Sequence, residues 1–149
     1  MEMNISRSSH IKIGSSYSPP LPEKIHCGTT KDDRPGSLPG KHLILDLLGA
    51  ENLTDPNYIG NLLSEAARDC NVVVINQFMH SFGDGMGVTG VIVLAESHIS
   101  IHTWPEVGTA CIDIFMCGKN DPRNCIPRIV NSLDPSSIKL SFIVRSAEI

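Results

Sequence analysis

The chain has 149 residues, 41% hydrophobic and 19% charged, with a net charge of −4 and a pI near 5.8. That length suits one domain with a real core, and the mild acidity argues against a nucleic-acid binder, which carries a basic patch. The five cysteines are odd in number and lack a C-x-x-C pair, no apolar run reaches membrane-spanning length, and the N-terminal residues lack a signal-type apolar segment; a reducing, cytoplasmic setting without membrane contact is expected.

Residues 1–39 are rich in Ser, Pro and Gly, as in Ser15-Ser16-Tyr17-Ser18-Pro19-Pro20 and Pro35-Gly36-Ser37-Leu38-Pro39. No strand or helix period is sustained there, so a disordered or loosely attached tail is expected. The domain is expected to run from 40 to 149. Leu43 to Leu48 is a short apolar run ending at Gly49 and reads as a buried strand. Asp55 and Pro56 have the chemistry of a helix N-cap and first position. Ile59, Leu62, Leu63, Ala66, Ala67 and Cys70 then fall on one helical stripe, which makes Cys70 a packing residue.

A second strand is expected from Val72 to about Phe82, then a glycine-rich turn at Gly83–Gly87 and a third strand over Val88–Leu94. Ile99–Thr103 and Thr109–Met116 read as the fourth and fifth. Asp121-Pro122 opens a second helix, with Pro127 expected to kink it or delay its start. Ile138–Val144 is the last strand. This order predicts an α+β, two-layer sandwich: a mainly antiparallel sheet with both helices on one face. Parity puts Ile99 and Ile101 with Ile112, Ile114 and Met116 on the helix side. His98, Ser100 and His102 lie on the other face with Cys111, Asp113, Phe115 and Cys117. A sheet face so rich in reactive groups is expected to be covered by a second subunit.

The stretch Glu96-Ser97-His98-Ile99-Ser100-Ile101-His102-Thr103-Trp104-Pro105-Glu106 concentrates the chemistry. A hydrolase pairing of Ser97 with His102 lacks the G-x-S-x-G elbow. A zinc site from His98, His102 and Glu106 would need a helix to converge its ligands, whereas four residues along a strand span roughly 13 Å. No metal is expected.

That stretch, with Ala110-Cys111-Ile112-Asp113-Ile114-Phe115-Met116-Cys117-Gly118, closely resembles the prokaryotic S-adenosylmethionine decarboxylase family. The likeness extends to Gly40-Lys41-His42, Phe82 and Gly87-Val88-Thr89-Gly90, over residues 40–149. It implies a proenzyme that cuts itself between Glu96 and Ser97, giving a 1–96 beta chain and a 97–149 alpha chain. The Ser97 hydroxyl would attack the Glu96 carbonyl, assisted by His102 as proton acceptor and by Thr89. Elimination and hydrolysis would leave a pyruvoyl group at position 97 as the cofactor. Its carbonyl would form a Schiff base with the substrate amine and take up the electrons freed as CO2 departs. Cys117 matches the family's proton donor, Glu106 the residue that holds the ribose hydroxyls, and Phe82 an aromatic against the adenine. If the fourth strand ran straight from Ser97, Ser97 and His102 would face opposite ways, so a bend before that strand is expected. The resemblance further implies S-adenosyl-L-methionine as substrate, an aminopropyl donor for spermidine synthesis as product, and a homodimer of alpha–beta protomers. An ornithine or arginine decarboxylase on the same scaffold is the alternative.

Overall fold

A computed structural model describes residues 9–12 and 40–145. Its elements in chain order are β1 (Ser9–Lys12), β2 (Gly40–Leu48), α1 (Pro56–Asp69), β3 (Val74–Ser81), β4 (Val88–Leu94), β5 (Ser97–Trp104), β6 (Thr109–Met116), α2 (Ile126–Leu133) and β7 (Ser137–Arg145). Single 3-10 turns at Pro105–Val107 and Pro122–Cys125 precede β6 and α2. The strands form one seven-stranded sheet in the order β1-β7-β2-β6-β5-β4-β3, and every pairing is antiparallel. The expected α+β sandwich is therefore the observed fold.

The side chains explain the layering. Leu43, Leu45 and Leu47 on β2, Ile99 and Ile101 on β5, and Ile112 and Ile114 on β6 alternate onto one face, where they are buried. They pack in a single cluster with Ile59, Leu63, Ala66 and Ala67 of α1 and Ile129, Val130 and Leu133 of α2. Each such Leu or Ile contributes about 1.5–3 kcal/mol. α1 starts where its cap predicts: the Asp55 carboxylate accepts from the Asn57 and Tyr58 amides at 2.8 and 3.2 Å. It ends without glycine. Asn71 takes φ +57°, its amide donates to Arg68, and the Val72 amide donates to Ala67, which satisfies the last carbonyls. Pro127 does delay the second helix: its turn begins as 3-10 at Pro122, and α2 proper starts at Ile126 with Pro127 in its first turn.

Two elements differ from the sequence reading. Ser9–Lys12 pairs with Ser137–Leu140 of β7, although the tail shows no strand period. Edge pairing uses main-chain groups alone, and the β7 edge offers an unpaired row of them. The second difference is β5. It begins at Ser97, directly after a two-residue turn, because Leu94 and Ser97 are already paired. The chain turns at Ala95-Glu96, but the bend expected to keep Ser97 and His102 from facing opposite ways is absent, because the strand runs straight from Ser97.

Candidate active site

At one end of the sheet, Ala95 and Glu96 close the hairpin between β4 and β5. The Ala95 amide donates to the Val73 carbonyl at 2.9 Å. Glu96 sits at φ +60°, a region rare for any residue with a β-carbon. Of the two turn residues only this second one has positive φ, whereas the common two-residue hairpin turns need it at the first. The chain therefore holds backbone strain at the residue before Ser97. Ser97 is half-buried, and its Oγ accepts from the Cys117 amide at 3.3 Å. Cys117 is the residue immediately after β6, so the antiparallel β5–β6 pairing brings serine and cysteine side by side.

At the other end, Thr89 and His102 are cross-strand partners, and Thr89 Oγ1 lies 2.8 Å from His102 Nδ1. The His102 ring is 6.3 Å from that of Trp104. Glu106 is exposed in the 3-10 turn that follows. Phe82, just past β3, is 62% exposed and meets His80 edge-on at 5.0 Å. Thr103 locks this end together. Its hydroxyl accepts from the Val88 amide at 2.7 Å and donates to the Leu53 carbonyl at 2.8 Å. Gly87 runs so close that a β-carbon there would lie 2.1 Å from the Thr103 carbonyl oxygen, so only glycine fits.

The profile of the S-adenosylmethionine decarboxylase family matches residues 41–146, which takes in both ends of the sheet. The chain belongs to the S-adenosylmethionine decarboxylase family. Among similar proteins is the S-adenosylmethionine decarboxylase proenzyme of Methanococcus maripaludis strain C7. It is 47% identical over 109 residues, covering 71% of this chain and 88% of the relative. The proenzyme of Pyrococcus furiosus is 38% identical over 112 residues, covering 73% and 80%. The crystal structure of the adenosylmethionine decarboxylase from Aquifex aeolicus VF5 superposes with a TM-score of 0.66 at 33% identity. The superposition covers 72% of this chain and 91% of that one.

Within this S-adenosylmethionine decarboxylase fold, the residues singled out from the sequence form two groups. Glu96, Ser97 and Cys117 stand together; Thr89, His102, Glu106 and Phe82 stand at the opposite end of the strands. Ser97 and His102 are five positions apart on a straight strand, roughly 16 Å, and face opposite sides of the sheet. A bend that would unite them in one chain does not exist, because β5 is regular from its first residue. The open face between the groups carries Phe115, stacked on His98 at 5.6 Å and edge-on to His42 at 6.1 Å, with His42 Nε2 at 3.2 Å from Asp113.

Burial and the neighbouring Asp46 push the Cys111 thiol up, which keeps it in the protonated, less nucleophilic form. Cys70 and Cys125 are buried with sulfurs 3.1 Å apart. Their mutual hydrogen bond and burial raise Cys125, so this pair is core. Among the described residues no cluster of three or more His, Cys, Asp or Glu side chains is arranged to hold a metal ion, and no helix is long and apolar enough to cross a membrane. Thr103 and Lys41 hold the two ends of the site through long-range hydrogen bonds. Their partners lie 50 and 77 residues away, and no local pattern announces them.

Proposed function

We propose that this chain is made as a proenzyme, cuts itself between Glu96 and Ser97, and then decarboxylates S-adenosyl-L-methionine with the pyruvoyl group left at position 97. The observation that carries this reading is the strained turn. Glu96 holds φ +60° directly before a serine whose hydroxyl is fixed by the Cys117 amide. An ordinary serine is a weak nucleophile and needs such positioning, together with a base. Attack of Ser97 Oγ on the Glu96 carbonyl carbon breaks the peptide C–N bond and forms an ester, which releases the turn. Removal of the Ser97 α-proton then expels the Glu96 carboxylate. Water displaces the nitrogen as ammonia, and a ketone remains at position 97.

His102, oriented by Thr89, has the chemistry of the proton acceptor, yet it stands roughly 16 Å away on the other face. A second copy resolves this. Two sheets stacked by their open faces about a two-fold axis perpendicular to the strands set the Ser97 end of each copy beside the His102 end of the other, and Ser97, as the first residue of β5, reaches that seam around the strand end. The open face suits such cover, since Phe78, Val93, Trp104 and Ile143 are exposed on it beside the histidines. The active form is accordingly a homodimer of alpha–beta protomers.

A pyruvoyl carbonyl supplies an electrophile for the substrate amine and a sink for the electron pair left by CO2. The chain provides the rest. Cys117, beside position 97, returns a proton to the former α-carbon. Glu106 accepts from the ribose diol and its charge suits a sulfonium. Phe82 offers an exposed ring for the adenine. The four described cysteines are free, in keeping with a reducing, cytoplasmic compartment. The product would serve as an aminopropyl donor. Ornithine or arginine, the alternative substrates, find no support in the relatives.

The test is CO2 release from carboxyl-labelled substrates. S-adenosylmethionine should react and ornithine and arginine should not. Cys117→Ala should still be cut but decarboxylate about 100-fold or more slowly. Comparable release from ornithine or arginine would transfer the assignment to that substrate.

A further inference from the structure

The geometry points to Lys41 as the positioning residue of the self-cleavage site. Lys41 is the second residue of β2, a strand paired on both sides, where it faces Met116 of β6 and Val144 of β7. From this rigid platform its Nζ reaches past the end of β6 and donates to the carbonyls of Gly118 at 2.9 Å and Asn120 at 3.0 Å. These two residues continue the chain from Cys117, whose amide donates to Ser97 Oγ. Gly118 turns the chain at φ +67°. The loop's far end is fixed separately, with the Asp121 carbonyl accepting from the Cys70 thiol at 3.3 Å and the Asp121 side chain accepting from the Arg123 amide at 3.0 Å.

One ammonium thus clamps two carbonyls through charge-assisted bonds and fixes where the Cys117 amide and thiol lie relative to position 97. The Ser97 hydroxyl must align with the Glu96 carbonyl carbon, and a displacement of about 1 Å from such alignment can cost about 100-fold in rate. Lys41 touches neither reacting atom. It acts through the loop: first on the hydroxyl that attacks, and after cutting on the thiol that returns a proton. Lys41→Met keeps an unbranched apolar stem one atom shorter and removes the clamp, and Lys41→Arg keeps a cation with several donors.

This inference rests on the self-cleavage reading above, and the experiment separates the two. The half-time of chain cutting is followed on denaturing gels for the natural chain, Lys41→Met and Lys41→Arg, each full length, with a thermal melt on every sample. The natural chain should cut. Folded Lys41→Met should cut at least about tenfold more slowly, and Lys41→Arg close to the natural rate. The fraction of Lys41→Met that does cut should show a lower kcat with KM unchanged. Lys41→Met cutting at the natural rate, losing substrate affinity instead of kcat, or failing to fold would overturn the positioning role. A natural chain that never cuts would sink the self-cleavage reading itself.

Discussion

Glu96 occupies a backbone conformation that a β-carbon disfavours, and the strain lies in the residue whose carbonyl the chemistry would attack. Glycine adopts φ +60° freely, so Glu96→Gly removes that strain. In an uncuttable Ser97→Ala background it should stabilise the fold by on the order of 1 kcal/mol, seen as a higher melting temperature. In the Ser97 chain it should slow cutting, because the starting state is no longer raised. A melting temperature that falls or stays put would show that the turn stores no strain. The chemistry of single residues was the most legible part of the sequence: Ser97, His102 and Cys117 are reactive types in a long specific pattern. Glu96's conformation was not legible. Ala95-Glu96 lacks the Gly, Asn or Asp that announces a tight hairpin, so the turn had no signature and β5 was read as starting two residues late.

At the scale of elements, the helix boundaries and the face of each strand could be read from caps and alternation. Asp55-Pro56 fixed the start of α1, and the Ile/Met and Cys/Asp/Phe faces of β6 fall on opposite sides of the sheet as their parity requires. Contacts that bridge distant segments could not be read. Thr103 ties β5 to β4 and to the loop at Leu53 through one buried hydroxyl. Thr103→Val keeps the shape but leaves a buried amide and a buried carbonyl without this partner. It should cost about 2 kcal/mol or more, measured by thermal melting of the Ser97→Ala chain. Thr103→Ser, which keeps the hydroxyl, should cost clearly less. Equal losses for the two would mean that the methyl group, not the hydroxyl, matters. Ser9–Lys12 marks the same limit: an edge strand held by main-chain bonds leaves no pattern in its side chains.

For the whole molecule, the chief result is the division of the site residues between two ends of one sheet. Ser97 and His102 lie five positions apart in one short stretch, and only the straightness of β5 reveals that this nearness in sequence is roughly 16 Å in space. The two-fold arrangement proposed above makes a direct prediction. Co-expression of a Ser97→Ala chain, which keeps its His102, with a His102→Ala chain, which keeps its Ser97, should yield mixed dimers in which the His102→Ala chain is cut. Expressed alone, neither variant should cut efficiently. If mixing restores no cutting while His102→Ala alone remains uncut, histidine and serine of the same chain must meet by another route, and the face-to-face dimer is wrong.

The most direct test of the central claim is the mass of the purified natural chain. Self-cleavage at Glu96–Ser97 predicts two polypeptides. One ends in a free Glu96 carboxylate, and the other begins at position 97 with a pyruvoyl group in place of serine. The Ser97→Ala chain should give a single uncut mass. A natural chain that decarboxylates S-adenosylmethionine while intact, or a cut one whose second fragment still begins with serine, would contradict the account.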